Sequence, residues 1–142
     1  MKILIINGPN LNLLGRREPS VYGSDTLDAV LAELEAAFPE AALAHFQSNH
    51  EGALIDRIHE AVLDPPDGVV VNLGAFTHYS YALLDALRML PCPIVEVHLS
   101  HLFSREPFRH VSVISPACKG MISGFGKHSY HLALQWLLRL RS

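Results

Sequence analysis

Short apolar runs alternate along this chain with segments whose apolar positions recur every three to four residues. Lys2-Ile3-Leu4-Ile5-Ile6 is the first run and predicts a strand. Leu27, Val30, Leu31, Leu34 and Phe38 then keep helical spacing, after the start signals Ser24, Asp25 and Asp28 and before Pro39. Residues 42–46 predict a second strand. Leu54, Ile58 and Val62 place a second helix over 51–63, closed by Asp64-Pro65-Pro66-Asp67-Gly68. Val69-Val70-Val71 is apolar on both faces, as a central parallel strand covered by helices must be. A third helix is expected over 78–90, a fourth strand over 94–99, a fifth over 111–114 and a last helix over 128–141. Strands alternating with helices in this way give a parallel sheet with helices on both faces. With no internal repeat and no dividing linker, the expectation is one domain over 1–142: a doubly wound five-stranded α/β sheet of the flavodoxin-like type.

Composition narrows the function. Of 142 residues, 49% are hydrophobic and 18% charged, too apolar for a disordered tail. A net charge of -3 offers no basic footprint, which argues against nucleic acid as a partner. No apolar stretch approaches the roughly 18 residues of a membrane span, and residues 3–6 fall short of a signal peptide's apolar core of about 7 to 15. Cys92 and Cys118 lack metal or redox spacing and are expected to be reduced and buried, in a cytoplasmic setting. Metal is not expected either: His98 and His101 fall on opposite sides of a continuing strand, and His128 and His131 lack a third ligand. Gly126-Lys127 resembles the end of a phosphate loop, but Met121 and His128 occupy positions that such a loop reserves for glycine and a hydroxyl.

Polar residues collect where the strands end, the rim on which open parallel sheets bind ligands. The first strand runs into Asn7-Gly8-Pro9-Asn10-Leu11-Asn12 and a long loop holding Arg16, Arg17 and Tyr22 between Gly15 and Gly23. The others end in Gln47-Ser48-Asn49-His50, in Asn72-Leu73-Gly74 with Thr77 and His78, and in Glu96-Val97-His98-Leu99-Ser100. Period-two geometry puts Glu96, His98 and Ser100 on one face. From the residues alone, Glu96 and His98 are either a satisfied core pair or a carboxylate orienting a general acid or base. The loop has two readings as well. It is either a lid bringing a cation to Tyr22, or solvated arginines beside a packed tyrosine. A phenol is ordinarily only about 0.1% ionised at neutral pH, so a basic tyrosine needs roughly 4 kcal/mol of help from such a cation.

These segments together resemble the type II 3-dehydroquinases (3-dehydroquinate dehydratases) over nearly the whole chain. The similar stretches are Asn7 to Pro19 with Tyr22-Gly23, Gln47 to Gly52, Gly74 to His78, Glu96 to Ser100 and Arg105 to Arg109, in the family's order. The resemblance implies trans-dehydration of 3-dehydroquinate to 3-dehydroshikimate without metal or organic cofactor. It implies Tyr22 as the base, Arg17 as the arginine that keeps the phenol charged, and Asn12 as holder of a water near the enolate oxygen. His98 would be the acid and Glu96 its orienting partner. Asn72, His78 and Arg109 would contact substrate hydroxyls, and Leu99 and Ser100 would grip the carboxylate. Asp85 would reach a neighbouring subunit's site, in a homo-oligomer of twelve chains built as a tetramer of trimers. Leu73, Phe76 and His101 depart from the residues common in the family. Without the resemblance, a non-catalytic flavodoxin-like ligand-binding or regulatory module is the rival reading.

Overall fold

The computed structural model describes residues 1–141. Five parallel strands, β1 (Lys2–Asn7), β2 (Ala42–Gln47), β3 (Gly68–Asn72), β4 (Ile94–His98) and β5 (Gly120–Ser123), form one sheet in the order β2-β1-β3-β4-β5. This is the flavodoxin-like order, and it reverses between β1 and β3. Five α-helices accompany the sheet: α1 (Pro19–Tyr22), α2 (Leu27–Ala37), α3 (Glu51–Leu63), α4 (Tyr81–Leu87) and α5 (His128–Arg139).

Side-chain alternation divides the interior in two. Ile3, Ile5, Val70, Val95 and Val97 pack beneath α2 and α5, while Leu4, Ile6, Val69, Val71 and Ile94 pack beneath α3 and α4. Every residue of β3 and β4 is buried, and each apolar one contributes on the order of 1.5–3 kcal/mol of transfer free energy. Caps set two of the helix starts. Thr26 Oγ1 accepts the Ala29 N–H at 3.2 Å to open α2, and Ser80 Oγ accepts the Leu83 N–H at 3.1 Å to open α4. No helix among the described residues is long and apolar enough to cross a membrane.

Three expectations are corrected. The fifth strand is not at 111–114, where the chain is irregular: Val113 gives its N–H to the Thr77 carbonyl, and Ser112 turns its hydroxyl toward β4. The edge strand is the four-residue Gly120–Ser123, paired with β4 from Val95 to His98. The helix expected over 78–90 is also shorter, because residues 74–78 form a 3-10 turn and Tyr79, at φ -150°, breaks the chain before Ser80 caps the seven residues of α4. The last helix stops at Arg139, two residues early.

Candidate active site

The regular wall of the site is β4. Since Ile94 faces the α3/α4 side, alternation carries Glu96 and His98 to that same face, and both are buried. The His98 Nε2–H donates to Glu96 Oε1 at 2.7 Å, and the Ser112 hydroxyl donates to the same oxygen at 2.7 Å. Burial raises the Glu96 pKa, but the hydrogen bond and attraction of His98, helped by the Ser112 hydroxyl, outweigh it and hold the carboxyl below its ordinary range. Glu96 Oε2 has no hydrogen-bond partner among the described residues, the cost of a buried carboxylate dedicated to one side. With Nε2 committed, the other ring nitrogen of His98 remains for the cavity that this residue lines. His78 stacks on His98 with centroids 6.3 Å apart and planes inclined at 21°. Its Nδ1–H donates to the Val111 carbonyl at 2.7 Å, and burial, with lesser repulsion from His98 and Arg109, lowers its pKa, leaving a neutral ring.

The opposite wall is irregular. Gly15, at φ 92°, opens the long loop, and a Cβ there would stand only 3.0 Å from the Ser24 carbonyl oxygen. The loop closes through α1, whose last residue, Tyr22, packs against the α2/α5 side of the sheet. Arg17 Nη2 donates to the Tyr22 phenol oxygen at 3.0 Å, and Arg105 Nη2 donates to it at 2.8 Å. Both guanidiniums also lie over the ring, at 4.2 and 5.1 Å from its centroid. Arg105 reaches further, giving Nη1–H to Ser100 Oγ at 3.0 Å.

Between these walls lies a cavity of about 130 Å³ at the carboxyl ends of β1, β3 and β4, beside the reversal of strand order. It gathers Arg17, Tyr22, Asn72, His78, His98, Leu99, Ser100 and Arg109, as the sequence led us to expect, with Glu96 directly behind His98. Two expected residues stand elsewhere. Asn12 is exposed on the turn Leu11–Leu13 and lines a different cavity with Asn7, His45 and Gln47. Asp85 is exposed on α4. A larger cavity of about 660 Å³ is also lined by Tyr22 and Arg105, but His98 does not line it.

Sequence reasoning missed Arg105, which makes the shorter of the two hydrogen bonds to the phenol but sits in a segment without periodicity. Its only signal was its place in the stretch Arg105 to Arg109.

Residues 1–138 match the family model of dehydroquinase class II. The chain belongs to this family. It is 57% identical to a 3-dehydroquinate dehydratase of Roseiflexus castenholzii, across 99% of this chain and 90% of the relative. It is 52% identical to a catabolic 3-dehydroquinase of Botryotinia fuckeliana, across 95% and 90%. The crystal structure of type II dehydroquinase from Butyrivibrio crossotus superposes with a TM-score of 0.94 at 45% identity, covering 97% of each chain. Membership of the class II dehydroquinases does not favour the rival reading of a non-catalytic module.

Proposed function

We propose that this chain removes water from 3-dehydroquinate to give 3-dehydroshikimate, with Tyr22 as base and His98 as acid. The observation that carries the reading is the pairing of walls: a phenol oxygen held by two guanidiniums faces the same cavity as a carboxylate-braced imidazole. The Tyr22 phenolate takes the proton next to the ketone, leaving an enolate. The carbon–oxygen bond at the neighbouring centre then breaks, the proton of His98 goes to the departing hydroxyl, and water leaves as the enolate collapses to the conjugated enone. A proton beside a ketone is acidic enough for this route once prepositioned donors hold the enolate, so neither metal nor organic cofactor is required. Arg17 and Arg105 set positive charge on the oxygen that must become negative, and Glu96 supports the imidazolium.

Tyr22 belongs to the α2/α5 side of the sheet and His98 to the other, which supports proton loss and hydroxyl loss from opposite faces of the ring. Asn72, His78 and Arg109 are assigned to substrate hydroxyls, and Leu99 with Ser100 to its carboxylate. Asp85, outside the cavity of its own chain, is assigned to the site of a neighbouring subunit in a dodecamer, a tetramer of trimers. Asn12 takes up its role at the enolate water only if the Leu11–Leu13 turn moves toward the cavity. A cytoplasmic setting, in which Cys92 and Cys118 stay reduced, belongs to the same reading. Adding 3-dehydroquinate to purified protein tests it: enone absorbance rises if the proposal holds, and a flat trace at high enzyme concentration contradicts it.

A further inference from the structure

We infer that Tyr130 is a positioning residue for substrate binding, its buried hydroxyl fixing which end of the Asn72 amide serves the cavity. The inference rests on the proposed role of Asn72. Asn7 and Asn72 are register partners at the last positions of β1 and β3, the two strands between which the sheet order reverses. Tyr130, in the first turn of α5, is fully buried beneath them. Its hydroxyl accepts a hydrogen bond from Asn72 Nδ2 at 3.0 Å and donates to Asn7 Oδ1. On the other side, the Gly74 N–H reaches Asn72 Oδ1 at 3.4 Å. A backbone N–H only donates, so the amide oxygen must lie toward Gly74 and the nitrogen toward Tyr130. Turning the amide over would set donor against donor at Gly74 and leave the phenol, already donating to Asn7, without its incoming hydrogen.

Packing does not account for the hydroxyl. A phenylalanine would fill the same space among Ile5, Val70 and Leu134 without bringing a polar group into the core. The chain also leaves Asn7 Nδ2 buried and without a partner among the described residues while Asn7 Oδ1 stays on Tyr130. Burial pushes the Tyr130 pKa up, so the phenol keeps the proton that it gives to Asn7. The neighbouring Ser129 hydroxyl donates to the His98 carbonyl at 3.2 Å, so one helical turn supports two of the strand ends that form the site.

The test is steady-state kinetics of Tyr130→Phe with 3-dehydroquinate, alone and in an Asn72→Ala background, with thermal midpoints measured in parallel. We expect KM to rise about tenfold with kcat within about threefold of wild type, since a disordered Asn72 loses uniform binding. In the Asn72→Ala background the same change should move KM less than about twofold, because its target is gone. A lowered thermal midpoint with unchanged KM, or an equal KM rise in both backgrounds, overturns the inference. Wild-type protein inactive toward 3-dehydroquinate instead overturns the proposed function. If Tyr130→Phe does not fold, Asn7→Ala, which removes the acceptor that orients the phenol, is read in its place; it should raise KM about threefold, and an unchanged KM overturns the inference.

Discussion

The two walls of the cavity are built on different principles. One is a regular strand: Glu96 and His98 are held by alternation, buried in the core with His98 at the cavity's edge, and fixed by two hydrogen bonds of 2.7 Å on a single carboxylate oxygen. The other is a loop of half-buried side chains, in which a tyrosine is placed by two arginines, one five and one 83 residues away in sequence. The groups of the first wall are part of the core, and those of the second are partly exposed side chains at its margin. Substitutions on the walls should therefore differ in what they cost.

Tyr22→Phe should give the largest effect on rate, a fall in kcat of about 10³-fold, with the urea midpoint essentially unmoved. A stability loss as large as that of a core substitution would show that the loop wall is also structural. Glu96→Ala should lower kcat about 10²-fold and also cost about 2–3 kcal/mol of unfolding free energy, since it strips the partner from a buried imidazole and leaves Ser112 without its acceptor. Activity lost without stability would erase the distinction between the walls. Arg105→Lys should reduce kcat roughly tenfold and leave stability near wild type. A lysine lacks the rigid fork whose two terminal nitrogens hold Tyr22 and Ser100 separately; wild-type rates would remove Arg105 from the account.

The smallest effect is on acid stability. A carboxyl whose folded pKa lies below its ordinary value of 4.5 binds its proton more readily when unfolded, so Glu96 contributes stability above that value. The contribution fades as pH falls through the lower folded pKa. Thermal midpoints followed from pH 6 downward should therefore drop less steeply in Glu96→Gln than in wild type at the acid end. Parallel curves would contradict the depressed pKa.

The same division governs what could be read from the sequence. β1 and β3 declare themselves because full burial demands continuous apolar runs, β4 shows as alternating apolar positions around Glu96 and His98, and the pairing of those two residues follows from period two alone. α3 is legible from Leu54 and Ile58, its deeply buried positions. β5 was not legible, because a four-residue edge strand between glycines, with Met121 exposed, carries neither alternation nor a continuous apolar run. Val111 to Ile114 has the more strand-like composition but serves as cover, its Ser112 spent on Glu96. On the loop wall, Tyr22 and Arg17 could be singled out by composition and by resemblance. Arg105 could not, since its contact with Tyr22 exists only once the segment after β4 has folded back over the loop.

The central claim is that base and acid work from opposite faces of the substrate ring. Turnover of 3-dehydroquinate carrying deuterium stereospecifically at the carbon that loses its proton, with mass analysis of the product, tests it most directly. The account predicts that deuterium is lost when it lies on the face opposite the departing hydroxyl and retained when it lies on the same face; loss of the same-face label would contradict it.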